Sequence, residues 1–157
     1  MTFTLTSTGF TDGSTLPDAQ VQAKGNRSPQ LSWSGTPEGT KSFAITCFDP
    51  DAPTGSGFWH WTVANIPADV NELAEDASPA GLPGGAVEGR TDFGTPGFGG
   101  AAPPQGHGPH RYIFTVFAVD MDQLNVSSDN SGAIFGFNLH FHTLAKASIT
   151  GVYEHKA

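Results

Sequence analysis

The sequence predicts a mainly β protein, a sandwich or packed β-core carrying one modest helix, on three observations. Apolar residues recur at every second position through much of the first two thirds, as half-buried strands require. Twenty Gly and twelve Pro punctuate the 157 residues with turns, and charged residues make up only 14 %, against about a quarter in typical soluble domains. A chain of this length buries about two thirds of its unfolded surface. No repeat, heptad or linker tract divides it, so residues 1–157 read as a single domain.

The elements follow in order. Phe3 and Leu5 alternate with threonines, Leu31 and Trp33 alternate with Gln30, Ser32 and Ser34, and Phe43, Ile45 and Cys47 share one parity of Lys41 to Phe48. Phe58 to Ile66 and Tyr112 to Val119 are apolar on both parities and rich in aromatic and β-branched residues, which predicts central strands covered on two faces. Ten Gly and six Pro fall between Asp76 and His110 with no period. Phe93 and Phe98 give that stretch apolar anchors, so it is expected to be an ordered surface loop. Ile134, Phe137, Phe141 and Leu144 fall at helical spacing, predicting a helix over about Ala133 to Ala147 packed on the β-core, and Ile149 to Tyr153 reads as a last short strand.

Charge and composition exclude several function classes. Seven basic against fifteen acidic residues leave a formal charge of -8, with no basic cluster to displace nucleic-acid counterions. The lone Cys47, set among apolar neighbours, cannot form an internal disulfide and should be buried and inert. The first residues show neither a basic nor an apolar leader region, and no apolar run reaches eighteen residues, so a soluble, cytoplasmic protein is expected.

Three segments could carry chemistry. Asp49-Pro50-Asp51-Ala52-Pro53 ends an apolar strand with two carboxylates on one side of an extended chain, although a proline-stiffened strand end would look the same. His60 stands between Trp59 and Trp61, where a satisfied core histidine is the plainer reading. Gly106-His107-Gly108-Pro109-His110-Arg111-Tyr112 leads the glycine-rich loop into a central strand, where an Arg salt bridge alone would suffice. All three lie at or within strands whose loops could build one small, apolar-walled pocket.

These blocks resemble the phosphatidylethanolamine-binding proteins, also called Raf kinase inhibitor-like proteins, and in particular their short bacterial and archaeal branch. The resemblance extends from Phe3–Phe10 through Phe58-Trp59-His60-Trp61 to Gly151-Val152-Tyr153-Glu154, and the aspartate-proline and His-Arg-Tyr blocks carry most of its specificity. It implies a Greek-key β-sandwich with a few short helices, and a non-enzymatic pocket for a small anion, phosphate or phospholipid head group. It also implies pocket roles for Asp49, His60, His110 and Tyr112, rim roles for Asp51 and Pro53, and Gly99 and Gly100 bringing backbone amides to the ligand. Arg111 is expected to pair with an aspartate, and His142 to sit at the pocket rim or in packing. No cofactor is implied; a kinase or protease partner and a homodimer are, by analogy with other members. The sequence departs from the branch at Gly99-Gly100-Ala101-Ala102-Pro103-Pro104, where relatives commonly carry Gly-Gly-Pro-Cys-Pro-Pro, and in lacking a second cysteine in the early loop.

An oxyanion entering an apolar pocket must recover its lost hydration from preorganised donors: the imidazoles of His60 and His110, the Tyr112 hydroxyl and loop amides. Beside such an anion Asp49 must either be protonated or fix the proton of a neighbouring histidine, and the second role is favoured. The alternative is a phosphoester or acyl hydrolase in which Asp49 and His60 activate a water. A metal site is disfavoured, because His140 and His142, two apart on a helix, diverge and no zinc-binding spacing occurs.

Overall fold

The computed structural model describes residues 2–156 as two antiparallel sheets, one α-helix and a short 3-10 helix at Asp18–Gln20. A three-stranded sheet has the order β1 (Thr4–Thr6), β2 (Leu31–Ser34), β5 (Glu72–Leu73). A five-stranded sheet has the order β6 (Val87–Glu88), β4 (Phe58–Pro67), β3 (Ser42–Asp49), β7 (His110–Val119), β8 (Thr143–Tyr153). The alternation of the short strands puts Leu5, Leu31 and Trp33 inward. They meet Phe43, Ile45, Trp61, Val63, Phe114 and Val116 of the large sheet in the main core, where Trp33 and Phe43 pack edge to face at 5.4 Å. The opposite parity of the large sheet, Ala44, Ala64 and Val119, packs under Phe135 and Leu139 of α1 (Gly132–His142). That two-sided cover is why β4 and β7 are apolar on both parities.

The helix departs from the pattern expected of it. It begins after Ser131, whose side chain accepts from the Ile134 amide, and ends at His142, five residues short of Ala147. Residues 143–148 extend the last strand instead, because β7 needs a partner along its whole length: the β7–β8 ladder runs from His110↔Tyr153 to Val119↔Thr143. Ladder hydrogen bonds and tertiary packing outweigh intrinsic helix propensity here. The buried face is Phe135 and Leu139, whereas Phe137 and Phe141 are 65 % and 63 % exposed and Ile134 and Leu144 are exposed as well, so the four residues whose spacing predicts the packed face do not form it.

The stretch from Asp76 to Pro109 is an ordered loop with little regular structure beyond β6, strapped to the sheets by its backbone. Gly99 N–H donates to the His60 carbonyl, Ala101 N–H to the Gln20 carbonyl and Gln22 N–H to the Ala101 carbonyl. Gly100 is required by that last approach: a Cβ there would lie 2.5 Å from Gln20 O and 2.6 Å from Gln22 N. No helix among the described residues is long and apolar enough to cross a membrane.

The two faces of α1 should separate in denaturant unfolding. Phe135→Ala is expected to cost about 3–5 kcal/mol, and Phe137→Ala less than about 0.5 kcal/mol; equal costs would contradict this packing.

Candidate anion-binding pocket

Both neighbours of β3 run antiparallel to it, so the C-terminal end of β3 lies beside the N-terminal ends of β4 and β7. Asp49, His60 and His110 are the chemical residues at those three ends. The register of β3 with β4 shifts there: Cys47 pairs with Trp61 but Phe48 pairs with Trp59, leaving His60 as the extra, unpaired residue of a bulge. Bulges re-aim side chains. This one lets His60 and Trp61 both be buried, Trp61 in the core and His60 toward the strand ends.

The three side chains meet at a cavity of about 250 Å³ whose walls include Phe58, Phe93, Ala102, Pro104 and the rim residues Pro53 and Thr54. Asp49 is 2 % exposed. Its Oδ2 lies 2.7 Å from His110 Nδ1, and its Oδ1 accepts from the Asp51 amide at 2.7 Å. The histidine oriented by Asp49 is therefore His110. His110 Nε2 in turn lies 2.7 Å from His107 Nδ1.

His60 sits in an aromatic box, with the rings of Phe58, Phe93 and Tyr112 at 5.0, 5.3 and 5.1 Å. Its Nδ1 is 2.8 Å from the Gly99 carbonyl. A carbonyl only accepts, so Nδ1 carries the proton and Nε2 is the lone-pair nitrogen of the neutral ring. Burial pulls the imidazole below its ordinary value, and the Gly99 carbonyl opposes that only in part.

The other expected residues fall in less direct positions. Asp51 clamps Arg111 at the surface through both carboxylate oxygens, at 3.0 and 2.8 Å, and also accepts from the Arg111 amide. The Arg111 hydrogen bond holds its pKa down at about 2. The expected Arg–Asp pair is thus a rim clamp. Tyr112 is not a cavity-lining donor: it is 1 % exposed, supports His60 edge-on, and its hydroxyl has no hydrogen-bond partner among the described residues. Burial, reinforced by Asp49, keeps that hydroxyl protonated. The Gly99 and Gly100 amides are likewise committed, to the His60 carbonyl and Asn26 Oδ1, so neither is offered to the cavity. His142 pairs with Asp120 beyond the far end of β7 and is not at the pocket rim. Among the described residues no group of three or more His, Cys, Asp or Glu could hold a metal ion. Cys47 is buried and unpaired, and burial pushes its thiol up.

Sequence reasoning did not place Phe58, Phe93, Ala102 and Pro104 in the wall, nor His107 against His110. The Phe-x-His spacing at Phe58 and the turn residues between Pro104 and Pro109 were the available signals.

Two buried imidazoles and a carboxylate thus face one small apolar-walled cavity at a corner of a two-sheet β fold. Residues 6–154 match the family described as phosphatidylethanolamine-binding protein, and the chain belongs to that family. It is 50 % identical over 157 residues to the UPF0098 protein YbhB of Escherichia coli, covering 96 % of this chain and 99 % of that one. It is 58 % identical to the E. coli UPF0098 protein YbcL over 135 residues, covering 84 % and 74 %. The crystal structure of YbcL, described as a new member of the mammalian PEBP family, superposes with TM-score 0.95 over 97 % of this chain and 98 % of that one at 52 % identity. A PEBP homologue from Chlamydia trachomatis gives TM-score 0.84 over 97 % of each chain at 30 % identity.

The lowered His60 pKa has a stability consequence. As pH drops below the ordinary imidazole value of 6.5, the unfolded chain takes up a proton that folded His60 resists, so the folded state loses stability. His60→Gln should flatten the fall in denaturation midpoint between about pH 7 and 5. An unchanged fall, or a wild-type His60 titrating at or above 6.5 by NMR, would contradict the assigned environment.

Proposed function

We propose that this pocket binds a small oxyanion, a phosphate group or a phospholipid head group, as a non-enzymatic recognition site. The observation that carries the reading is the convergence of His60, His110 and Asp49 on one cavity whose lining contains no Lys or Arg. In a chain of formal charge -8, imidazoles are then the lining groups able to supply positive charge where an anion would sit. The aromatic walls exclude water, which strengthens each hydrogen bond formed inside, and the three rings around His60 favour its cationic form once an anion is present. A phosphorylated side chain presented by a kinase or protease partner offers the same oxygens. Family membership and the YbcL likeness support a ligand-binding role in general; the anion is inferred from the side chains.

The hydrolase alternative needs Asp49 to act with His60. The Asp49 oxygens bond instead to His110 and the Asp51 amide, and His60 Nδ1 to Gly99. Turnover of a phosphoester or acyl substrate that disappears when Asp49 and His60 are both replaced would overturn the binding reading. A homodimer would have the exposed Phe137–Phe141 face of α1 to draw on, and sedimentation of wild type against Phe137→Glu tests that use of it.

The binding reading has a definite pH signature. His60 donates from Nε2 only when protonated, and burial holds its free value low, so an anion must bind together with a proton. Calorimetry with glycerophosphoethanolamine, whose phosphodiester keeps one charge throughout, should show affinity rising as pH falls from about 8 to about 5.5. His60→Ala should weaken binding roughly tenfold or more and flatten the profile. A flat wild-type profile, or full affinity in His60→Ala, would sink the mechanism.

A further inference from the structure

An imidazole has two nitrogens and no other polar atom. In His110 both are engaged, Nδ1 by Asp49 and Nε2 by His107 Nδ1, each at 2.7 Å. His110 lines the cavity, yet in this arrangement it has nothing left to offer a ligand. His107 differs from its partner in every respect that governs mobility. It is exposed, whereas His110 is buried. It lies on the turn after Pro104, with its amide donating to the Pro104 carbonyl at 3.1 Å. Its neighbours Gly106 and Gly108 hold φ of 76° and 94°, a conformation that glycine adopts without strain. Its ring meets His110 edge to face at 4.9 Å. Once released, the His107 ring would turn into solvent, leaving the buried His110 Nε2 as the atom that the ligand must satisfy.

We infer that His107 is an internal stand-in for the ligand, occupying on His110 Nε2 the hydrogen-bonding position that a bound oxyanion takes. The inference rests on the anion reading and deepens it. A ligand that reaches only His60 leaves His107 in place. One with two acceptor oxygens, long enough to span from His60 to His110, must displace it and, with a proton taken up on His110 Nε2, gains that nitrogen as a donor in return. The apparent affinity of such a ligand is its intrinsic affinity reduced by the fraction of molecules in which His107 is displaced. One net hydrogen bond sets that fraction at roughly one in ten.

The test uses the full chain and glycerophosphoethanolamine as probe. His107→Ala should bind it roughly tenfold more tightly than wild type, with a thermal midpoint lower by about 2–5 °C for the hydrogen bond it loses. In the free wild-type protein, NMR should detect a through-hydrogen-bond nitrogen–nitrogen coupling between the His107 and His110 rings that vanishes on saturation with the probe. If wild type binds but His107→Ala binds equally or more weakly, or the coupling is absent from the free protein or persists at saturation, the stand-in role is wrong and the anion reading stands. If neither protein binds the probe, both are wrong.

Discussion

Asp49 places a carboxylate in the interior at the end of β3, 2 % exposed, and the geometry of the pocket follows from satisfying it. Stripping a buried charged group of its partner typically costs about 3–5 kcal/mol, so its two oxygens dictate what surrounds them. One takes the His110 ring nitrogen, which fixes that imidazole's rotamer and joins the ends of β3 and β7. The other takes the Asp51 amide, which bends the chain so that the Asp51 side chain faces Arg111 and clamps the same two strands from outside. Buried and exposed pairs thus secure one corner of the sheet from both sides.

The second imidazole is held by different means. His60 has no carboxylate; its position comes from a bulge, a carbonyl and three aromatic rings. The two rings are held by different partners. His110 is a ring whose proton on Nδ1 is secured by a carboxylate, while His60 is desolvated into its neutral form with a lone pair on the remaining nitrogen. A site so built acquires positive charge only when it gains protons, in a protein whose overall field is negative. On the proposed reading, such a site takes up its ligand together with a proton instead of drawing it in with permanent cations.

The glycine-rich loop shows how one sequence feature can serve another purpose than the one it suggests. Gly99 and Gly100 lie beside the pocket as the family resemblance implied, but their smallness is used against Phe93 and against the Gln20–Gln22 backbone, and their amides close hydrogen bonds within the protein. The carbonyl of Gly99, not its amide, acts on the site by setting the tautomer of His60. Ala102 and Pro104, in and beside the segment that departs from the relatives, form part of the cavity wall, which places that departure at the cavity.

Local pattern determined a good deal by itself. Alternation and two-sided apolarity identified β2, β3, β4 and β7, because whether a strand is covered on one face or two is written into its parity. The aspartate-proline and His-Arg-Tyr blocks marked the corner where Asp49, Asp51, His110 and Arg111 meet, because strand ends and rigid turns are local features. What depends on distant partners was decided only by the tertiary structure. The helix stops at His142 because β7 needs a neighbour, and its buried face is Phe135 and Leu139 because those two positions lie over Ala44, Ala64 and Val119. The bulge at His60 is a mismatch between two strands, which neither strand carries alone. The pairing of Asp49 with His110, the retreat of Tyr112 behind His60 and the capture of His110 by His107 are angular facts about side chains on separate elements. Hydrogen-bond geometry decides them at a scale of tenths of an ångström, far finer than sequence spacing resolves.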